Sequence, residues 1–595
     1  MTLDSPVPHP APPRPDPPRQ DPPGADPQPR PRSLDPGELG FQPQPQVAWL
    51  APRQLTGTAV RVLVSAEFGA YLDKRELQNA LPAPIHDEGA DEPEAWLDYV
   101  ADVGDGFNST YSVAYLLAQP SLRLDGAELP RGRMLLMGGD EVYPTASSQR
   151  YEDRTKGPYR AALPVCPPGQ RRPHLYALPG NHDWYDGLTA FLRLFAKNGT
   201  DCIGAWRNVQ ARSYFAIRLP HQWWLMAIDT QFGAYLDDPQ MHYFLAVKEQ
   251  LRPGDRVILC PATPGWVEAV NSPNAYNTID YFVRNVLSVP GVELKLLLSG
   301  DLHHYAHYCS DDAPSAAPSE PGGQRHLVTC GGGGAYLYPT HRLPETIEVP
   351  PPASRSRRAS PTRRYRLQET FPSAAVSRRF AAGVFARLPL RNPGFAALLG
   401  VLHLLYMLAL LNVVRFFSGN LLRLSVVPVG LMGFLILAAT MFFAVPPTAG
   451  RRLPRHYLLG AGHGIVHLGL GVGGAFAWAA LPFAHWPLGL SLLVAVVLYG
   501  SVASVIGTEV VCLYLVVASW FGVNVNELYA GQGIEDAKCF LRIRVGPDGL
   551  TIYPVAIPFV CRKWTANPHG EEHQPWVKPA EPFSYQLAGP VIRIH

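Results

Sequence analysis

The sequence has no excess of charge of either sign. Lys and Arg total 51 and Asp and Glu 49, a formal net charge of +2. A dedicated nucleic-acid binder carries a strong basic surplus, so the balance argues against that class. Cysteine is scarce, eight in 595 residues, with no Cys-x-x-Cys pair. That argues against a disulfide framework or a thiolate zinc site and suits a reducing compartment. The first 50 residues contain no long apolar run, so a secretory signal peptide is not expected. No internal repeat is visible. Charged residues make up only 17% of the chain, and the reason lies in its second half.

At this length the chain is expected to hold two to four domains. Residues 1–50 contain 16 prolines among Asp, Arg and Gln. Such a segment has too little apolar surface for a core and reads as a disordered tail. From 51 to 345 short apolar runs, such as "VRVLVSA", "MLLMGGD", "WWLMAIDT" and "LKLLLSGD", end in Gly/Asp/Asn clusters with helix-like stretches between them. That alternation predicts an α/β domain with its chemistry at the strand C-terminal ends. Residues 346–392 are rich in Pro, Ser and Arg and read as a basic linker.

Residues 393–523 are a transmembrane region. The runs 395–414, 424–445 and 457–481 each have the length of one bilayer crossing, and Pro487–Val523 is too long for one untilted span and barely long enough for two. Four spans are expected, five if Gly500 or Gly507 breaks the last stretch. Arg-rich flanks precede the first span, and Arg451, Arg452 and Arg455 lie in the second loop, whereas the third loop has no Lys or Arg. The positive-inside rule then places both ends in the cytoplasm. Residues 524–595 read as a soluble segment on the same side as the first domain, where it docks on that domain or contacts anionic lipid. In it "FLRIRVGPDGLTIYPVAI" alternates with period two about Pro547-Asp548-Gly549, which predicts a β-hairpin.

Four strand ends carry the polar residues of interest. "VADVGDG" brings Asp102, Gly104 and Asp105, and "LLMGGDEVYP" brings Asp140 and Tyr143. "ALPGNHDWYDG" brings Asn181, His182 and Asp183, and "LLLSGDLHHY" brings Asp301, His303 and His304. Any one of these is an ordinary turn sequence. Together, in order, each closing an apolar run, they gather carboxylates, an amide, imidazoles and a phenol. Such donors suit borderline-hard divalent or trivalent metals.

The series Asp-x-Gly, Gly-Asp-x-x-Tyr, Gly-Asn-His-Asp and Gly-(His/Asp)-x-His resembles the calcineurin-like metallophosphoesterase superfamily. Tyr143, and the stretch "SYFAIRLPHQWWLMAIDTQFGAYLDDPQMHYFLAV", resemble its purple-acid-phosphatase branch. The resemblance covers roughly residues 55–345. It implies a four-layer αββα sandwich with two metal ions, of the Fe/Mn/Zn class, at one edge. It assigns Asp102, Tyr143 and His303 to the first metal, Asp140 to both, and Asn181 and Asp301 to the second. His182 would donate to the phosphate and assist the leaving group. The implied activity is hydrolysis of a phosphate ester by a metal-bridging hydroxide. The implied partners are a small-molecule or lipid-linked phosphate ester and the lipid bilayer.

Two positions depart from that pattern. The Val-x-x-His motif expected before the last one is replaced by "RVILCPATPGW", where Cys260, Pro261, Ala262 and Thr263 stand in place of the histidine. Asp301 stands where histidine is usual. Both changes fall on the second metal, and Asp105, His304, His307 and His341 are the candidates to replace the lost donor. Within the spans His403, His463, His467 and Glu509 are ionisable. His463 and His467 share a helix face, and the set suits a metal, a proton relay or interhelical hydrogen bonding, the last being favoured. Besides a membrane-anchored phosphoesterase, two readings remain open: a sensor on a degenerate phosphoesterase fold, and a transporter with a regulatory soluble domain.

Overall fold

The computed structural model describes residues 29–55, 57, 76–230, 235–311, 324–354, 360–415, 422–445 and 453–595. The tail expected over residues 1–28 lies outside them. The strands used below are β1 (Ala95–Val100), β2 (Met134–Met137), β3 (His174–Ala177), β4 (Arg256–Pro261), β5 (Glu293–Ser299), β6 (Lys538–Gly546) and β7 (Gly549–Ile557). Two mixed sheets face each other. In one, β4 and β5 are parallel neighbours; in the other, β1, β2 and β3 run parallel in that order. Their residues are apolar without alternation because both faces are covered. Leu97, Leu136, Ile258, Leu296, Leu541 and Ile552 fill the layer between the sheets. The outer face of the β1–β2–β3 sheet packs on the helix Phe107–Leu117 through Tyr111 and Leu117. The outer face of the other sheet packs on helices Asp238–Lys248 and Asn277–Val286 through Phe244 and Phe282.

The segment read as a linker belongs to the first sheet. Strand Arg363–Phe371 pairs antiparallel with Tyr305–Ser310, and strand Thr346–Val349 pairs with it in turn at the sheet edge. The strand Arg363–Phe371, next to the edge, keeps one face wet: Tyr365 is buried while Arg364 and Arg366 are exposed. Those two arginines of the expected linker belong to that wet face, and Arg378, Arg379, Arg387 and Arg391 lie on the helices Ala374–Ala382 and Val384–Arg391 that follow.

The C-terminal segment joins the first domain, one of its two expected placements. β6 pairs antiparallel with β1, and β7 pairs with β6, so the predicted hairpin forms within the second sheet. Arg542 stands directly opposite Asp98 in the ladder. Its Nε and Nη2 donate to the Asp98 carboxylate at 2.7 and 3.1 Å, and its Nη1 donates to the Leu129 carbonyl at 3.0 Å. Arg542 is fully buried, and only a two-pronged partner makes that tolerable.

Residues 29–50 likewise pack instead of dangling. Leu39, Phe41, Val47 and Leu50 are buried, Phe107 N–H donates to the Gln44 carbonyl at 2.8 Å, and Val47 N–H donates to Asp105 at 2.9 Å. An extended, Pro-rich chain cannot make a core, but it can lie in a groove on one made by others.

Four helical stretches are long and apolar enough to cross a bilayer: Pro393–Val413, Val426–Ala444, Pro454–Ala480 and Leu488–Trp520. The last is one continuous stretch, with a widened turn at Ala495–Tyr499, so the long C-terminal run supplies one span. Strands from before and after these helices share one sheet. The domain therefore lies on one side of any bilayer they cross, which requires an even number of crossings.

Candidate functional site

The parallel strands point their C-terminal ends to one edge, and the chain turns sharply there. Asp102, Asp140 and Asp301 follow β1, β2 and β5, and all three adopt left-handed backbone conformations, φ 60°, 52° and 68°. Aspartate tolerates that region better than most residues, and three such turns at one edge mark a constrained site. Backbone bonds lock the turns together. Asp102 N–H donates to the Gly139 carbonyl at 2.8 Å, and Val103 N–H to the Asp140 carbonyl at 2.9 Å. Asp301 N–H donates to Asp102 Oδ2 at 2.8 Å, joining the two sheets. Two glycines are needed for the approach: a Cβ on Gly180 would stand 2.1 Å from Asp140 Oδ1, and one on Gly331 2.3 Å from Asp102 Oδ2.

Tyr143 is the hub. Its Oη lies 3.1 Å from Asp102 Oδ1, 3.1 Å from Asp140 Oδ2 and 3.1 Å from His303 Nε2. All four side chains are buried. His182 N–H donates to Asp140 Oδ1 at 2.8 Å. His182 Nδ1 lies 2.7 Å from the Pro144 carbonyl. A carbonyl only accepts, so Nδ1 carries the proton and Nε2 is left for chemistry. Asn181 Nδ2 donates to Tyr185 Oη at 3.1 Å. Asn181, His182 and Asp301 are half-buried at the open side of the site.

The electrostatics are one-sided. Burial, then the charges of Asp140 and Asp301, push Asp102 well above the usual carboxylate range. Burial and Asp183 do the same to Asp140, and burial, Glu268 and Asp140 to Asp301. Burial and the Lys538 charge push His303 well below the usual histidine range. The cluster is short of positive charge. Among the described residues no group of three or more His, Cys, Asp or Glu side chains is gathered tightly enough to hold a metal ion as it stands; the donors close on Tyr143 Oη instead. The chemistry of the set nevertheless fits a hard cation: carboxylates, a phenol and an imidazole, all lacking a counter-charge.

Cys260, in the place of the expected histidine, is buried in the layer between the sheets, and burial raises its thiol. None of the four substitutes takes its place. Asp105 receives the backbone N–H groups of Val47 (2.9 Å) and Tyr336 (3.1 Å). His304 Nδ1 lies 3.3 Å from the Tyr338 carbonyl. His307 pairs with His326 at 3.0 Å, and His341 with Ser377 at 2.9 Å. The Gly-rich loop 331–334 is a turn, its Gly331 and Gly333 amides bonded to the His304 and Ala101 carbonyls.

Two residues escaped the sequence reading. Glu268 ends the short helix Gly265–Glu268 after β4, is exposed, and its charge acts on Asp301. No spacing rule marks it. Trp49 lies over the site, its ring 6.0 Å from Tyr143, 5.7 Å from His182 and 5.4 Å from Tyr336. Tyr336 stands edge-on to His303 at 4.5 Å. The composition around Trp49 argued against packing and so concealed it.

A second polar cluster sits in the helices. His403 Nε2 lies 2.9 Å from His467 Nδ1, and His467 Nε2 lies 3.0 Å from His463 Nε2. His463 stacks on Tyr514 at 4.0 Å and 6°. The central ring uses both nitrogens, on opposite sides, so the three rings form a line and do not converge on one point. Glu509 makes no hydrogen bond to them among the described residues. The arrangement is interhelical hydrogen bonding.

No family model matches this chain, and no curated protein matches it either.

Proposed function

We propose that the protein is a membrane-anchored, metal-dependent phosphoesterase. The observation that carries this reading is the convergence of Asp102, Asp140 and His303 on Tyr143 Oη at one edge of two facing sheets, beside Asn181, His182 and Asp301. The paired sheets between helices support the αββα metallophosphoesterase sandwich that the motifs imply. Asp102, Tyr143 and His303 would hold one ion, Asp140 both, and Asn181 and Asp301 the second. Bound metal would supply charge neutralisation for the phosphate and an acidified water.

The chain's own residues supply the rest. His182, with Nδ1 fixed by the Pro144 carbonyl, presents Nε2 for proton exchange with an ester oxygen. The His182 backbone amide holds Asp140 in place. Trp49 and Tyr336 wall one side against water. The basic residues flanking the spans favour the cytoplasmic face for the domain.

The test uses the full chain in detergent, because a fragment ending at residue 345 would lack β6 and β7. Chelated protein is reloaded with Mn, Fe or Zn and assayed on phosphomonoesters and phosphodiesters, beside Asp140→Asn and His182→Ala. Metal-dependent hydrolysis, lost in both variants, is expected. No hydrolysis under any metal, or hydrolysis unchanged in both variants, overturns the reading. Cys260, buried where an imidazole is expected, favours the sensor as second reading. Metal counted by elemental analysis, with no turnover, would select it.

A further inference from the structure

We propose that a cavity at the junction of the domain and the first membrane helix binds a phosphate-bearing anion, supplied by the headgroup of an anionic phospholipid. The cavity has a volume of about 160 Å³. Phe380, Arg387, Leu390 and Arg391 form one side, and residues 532–536 with Arg562 form the other.

Its place in the chain sets its depth. Helix Val384–Arg391 ends two residues before Pro393, where the first candidate span begins. Val384 and Leu388 on this helix are buried against the domain, while Phe385 and Leu390 are exposed, Leu390 at 81%. A short helix with one face on the domain and bare apolar residues on another, leading straight into a span, lies along the bilayer interface. The cavity therefore opens at the headgroup level.

The charges in the cavity do not cancel. Arg562 answers both acids, at 3.2 Å to Glu535 and 3.0 Å to Asp536. Arg387 meets only the neutral amide of Gln532 at 3.3 Å and stacks over Phe380 at 5.3 Å. Arg391 makes no side-chain hydrogen bond or ion pair among the described residues. Two guanidinium groups without an ion-pair partner among the described residues thus border a concave space whose three arginines outnumber its two acids by one charge. Guanidinium matches phosphate oxygens in a two-pronged geometry.

Size narrows the ligand. Sites for whole small molecules run to roughly 300–1,000 Å³. This cavity holds a phosphate group and leaves the remainder of the ligand outside. Leu390 stands there, at the cavity wall and largely exposed, an apolar contact that acyl chains satisfy and an inorganic ion does not. Anionic lipid at the membrane surface is drawn to basic groups in this position.

The experiment uses the full-length protein in detergent micelles containing phosphatidylglycerol or phosphatidylcholine, with retained lipid counted by native mass spectrometry. Wild-type protein should retain phosphatidylglycerol in preference. Arg391→Gln should weaken retention roughly fivefold, and adding Arg387→Gln roughly fivefold again. Arg391 has no protein partner to lose, so its variant should keep the wild-type thermal midpoint, and the result stands even where the double variant fails to fold. Equal retention of the two lipids, or retention unchanged in Arg391→Gln, overturns the proposal. Full displacement by millimolar inorganic phosphate assigns the cavity to free phosphate and overturns the lipid assignment.

Discussion

The molecule buries two polar clusters, and they are opposite in kind. At the sheet edge, carboxylates from three strand ends are held by backbone turns, and two of them, Asp102 and Asp140, crowd one phenol. In the helices, three imidazoles from two spans are held by one another. An imidazole is donor and acceptor at once, so a chain of them links through its own nitrogens, and only the Nδ1 atoms at its two ends, on His403 and His463, are without a partner among the described residues. A carboxylate accepts only, so a group of them is incomplete without a proton or a cation. The first cluster is built to receive something. The second needs no cation to complete its links, and it serves packing.

The largest effect that would break this contrast is on metal. Asp140→Asn removes a shared donor and should lower both metal content and hydrolysis by at least roughly 100-fold, the upper end of the loss seen for mere outer-shell partners of ligands. Elemental analysis beside a phosphoester assay measures both. Metal content equal to wild type would make the acidic cluster as self-sufficient as the imidazole one.

Next is the buried cation at the margin of the acidic cluster. Lys538 is fully buried, its Nζ has no hydrogen-bond partner among the described residues, and burial lowers it to about 8 from an ordinary 10.5. The folded state thus favours neutral Lys538, and between those two values the unfolded chain binds more protons. Stability should therefore rise with pH across that window, by up to roughly 3 kcal/mol, and the rise should vanish in Lys538→Met. Thermal midpoints at pH 8 and 10 show it.

A smaller effect tests the sign. In metal-free protein Asp102→Asn relieves like-charge repulsion and should raise stability by about 0.5–2 kcal/mol, the usual gain when a functional site's strain is released. The smallest effect has the opposite sign. His467→Leu removes both bonds of the imidazole line and should cost about 1 kcal/mol in detergent, given how weak interhelical hydrogen bonds measure. Thermal midpoints of the two variants, side by side, should move apart. Movement in the same direction would end the distinction between a cluster that needs a cation and one that does not.

Much of the acidic cluster was legible because its members are local events. Asp102, Asp140, Tyr143, Asn181, His182, Asp301 and His303 each sit within a few residues of a strand end, and an apolar run followed by glycine announces a strand end. Three of the four helical stretches were legible by length, and the fourth by length together with the placement of Arg in the loops. Glu268 was not, because it reaches Asp301 from another loop with no spacing in common. His403 was legible as a member of an interhelical polar set, but its partner was not, because its bond to His467 spans two helices.

The boundaries were misread for a related reason. The sequence by itself determined the strands that end at the site, the helical stretches long and apolar enough to cross a bilayer, and that 549–557 returns on 538–546, because periodicity, length and turn chemistry are written in neighbouring residues. Only the tertiary structure decided that this hairpin lies beside β1, that Arg542 belongs to Asp98, and that residues 29–50 cover the site with Trp49. Those pairings join segments more than a hundred to several hundred residues apart. A strand's edge carries the same N–H and C=O groups whatever its sequence, so only the folded chain selects its neighbour.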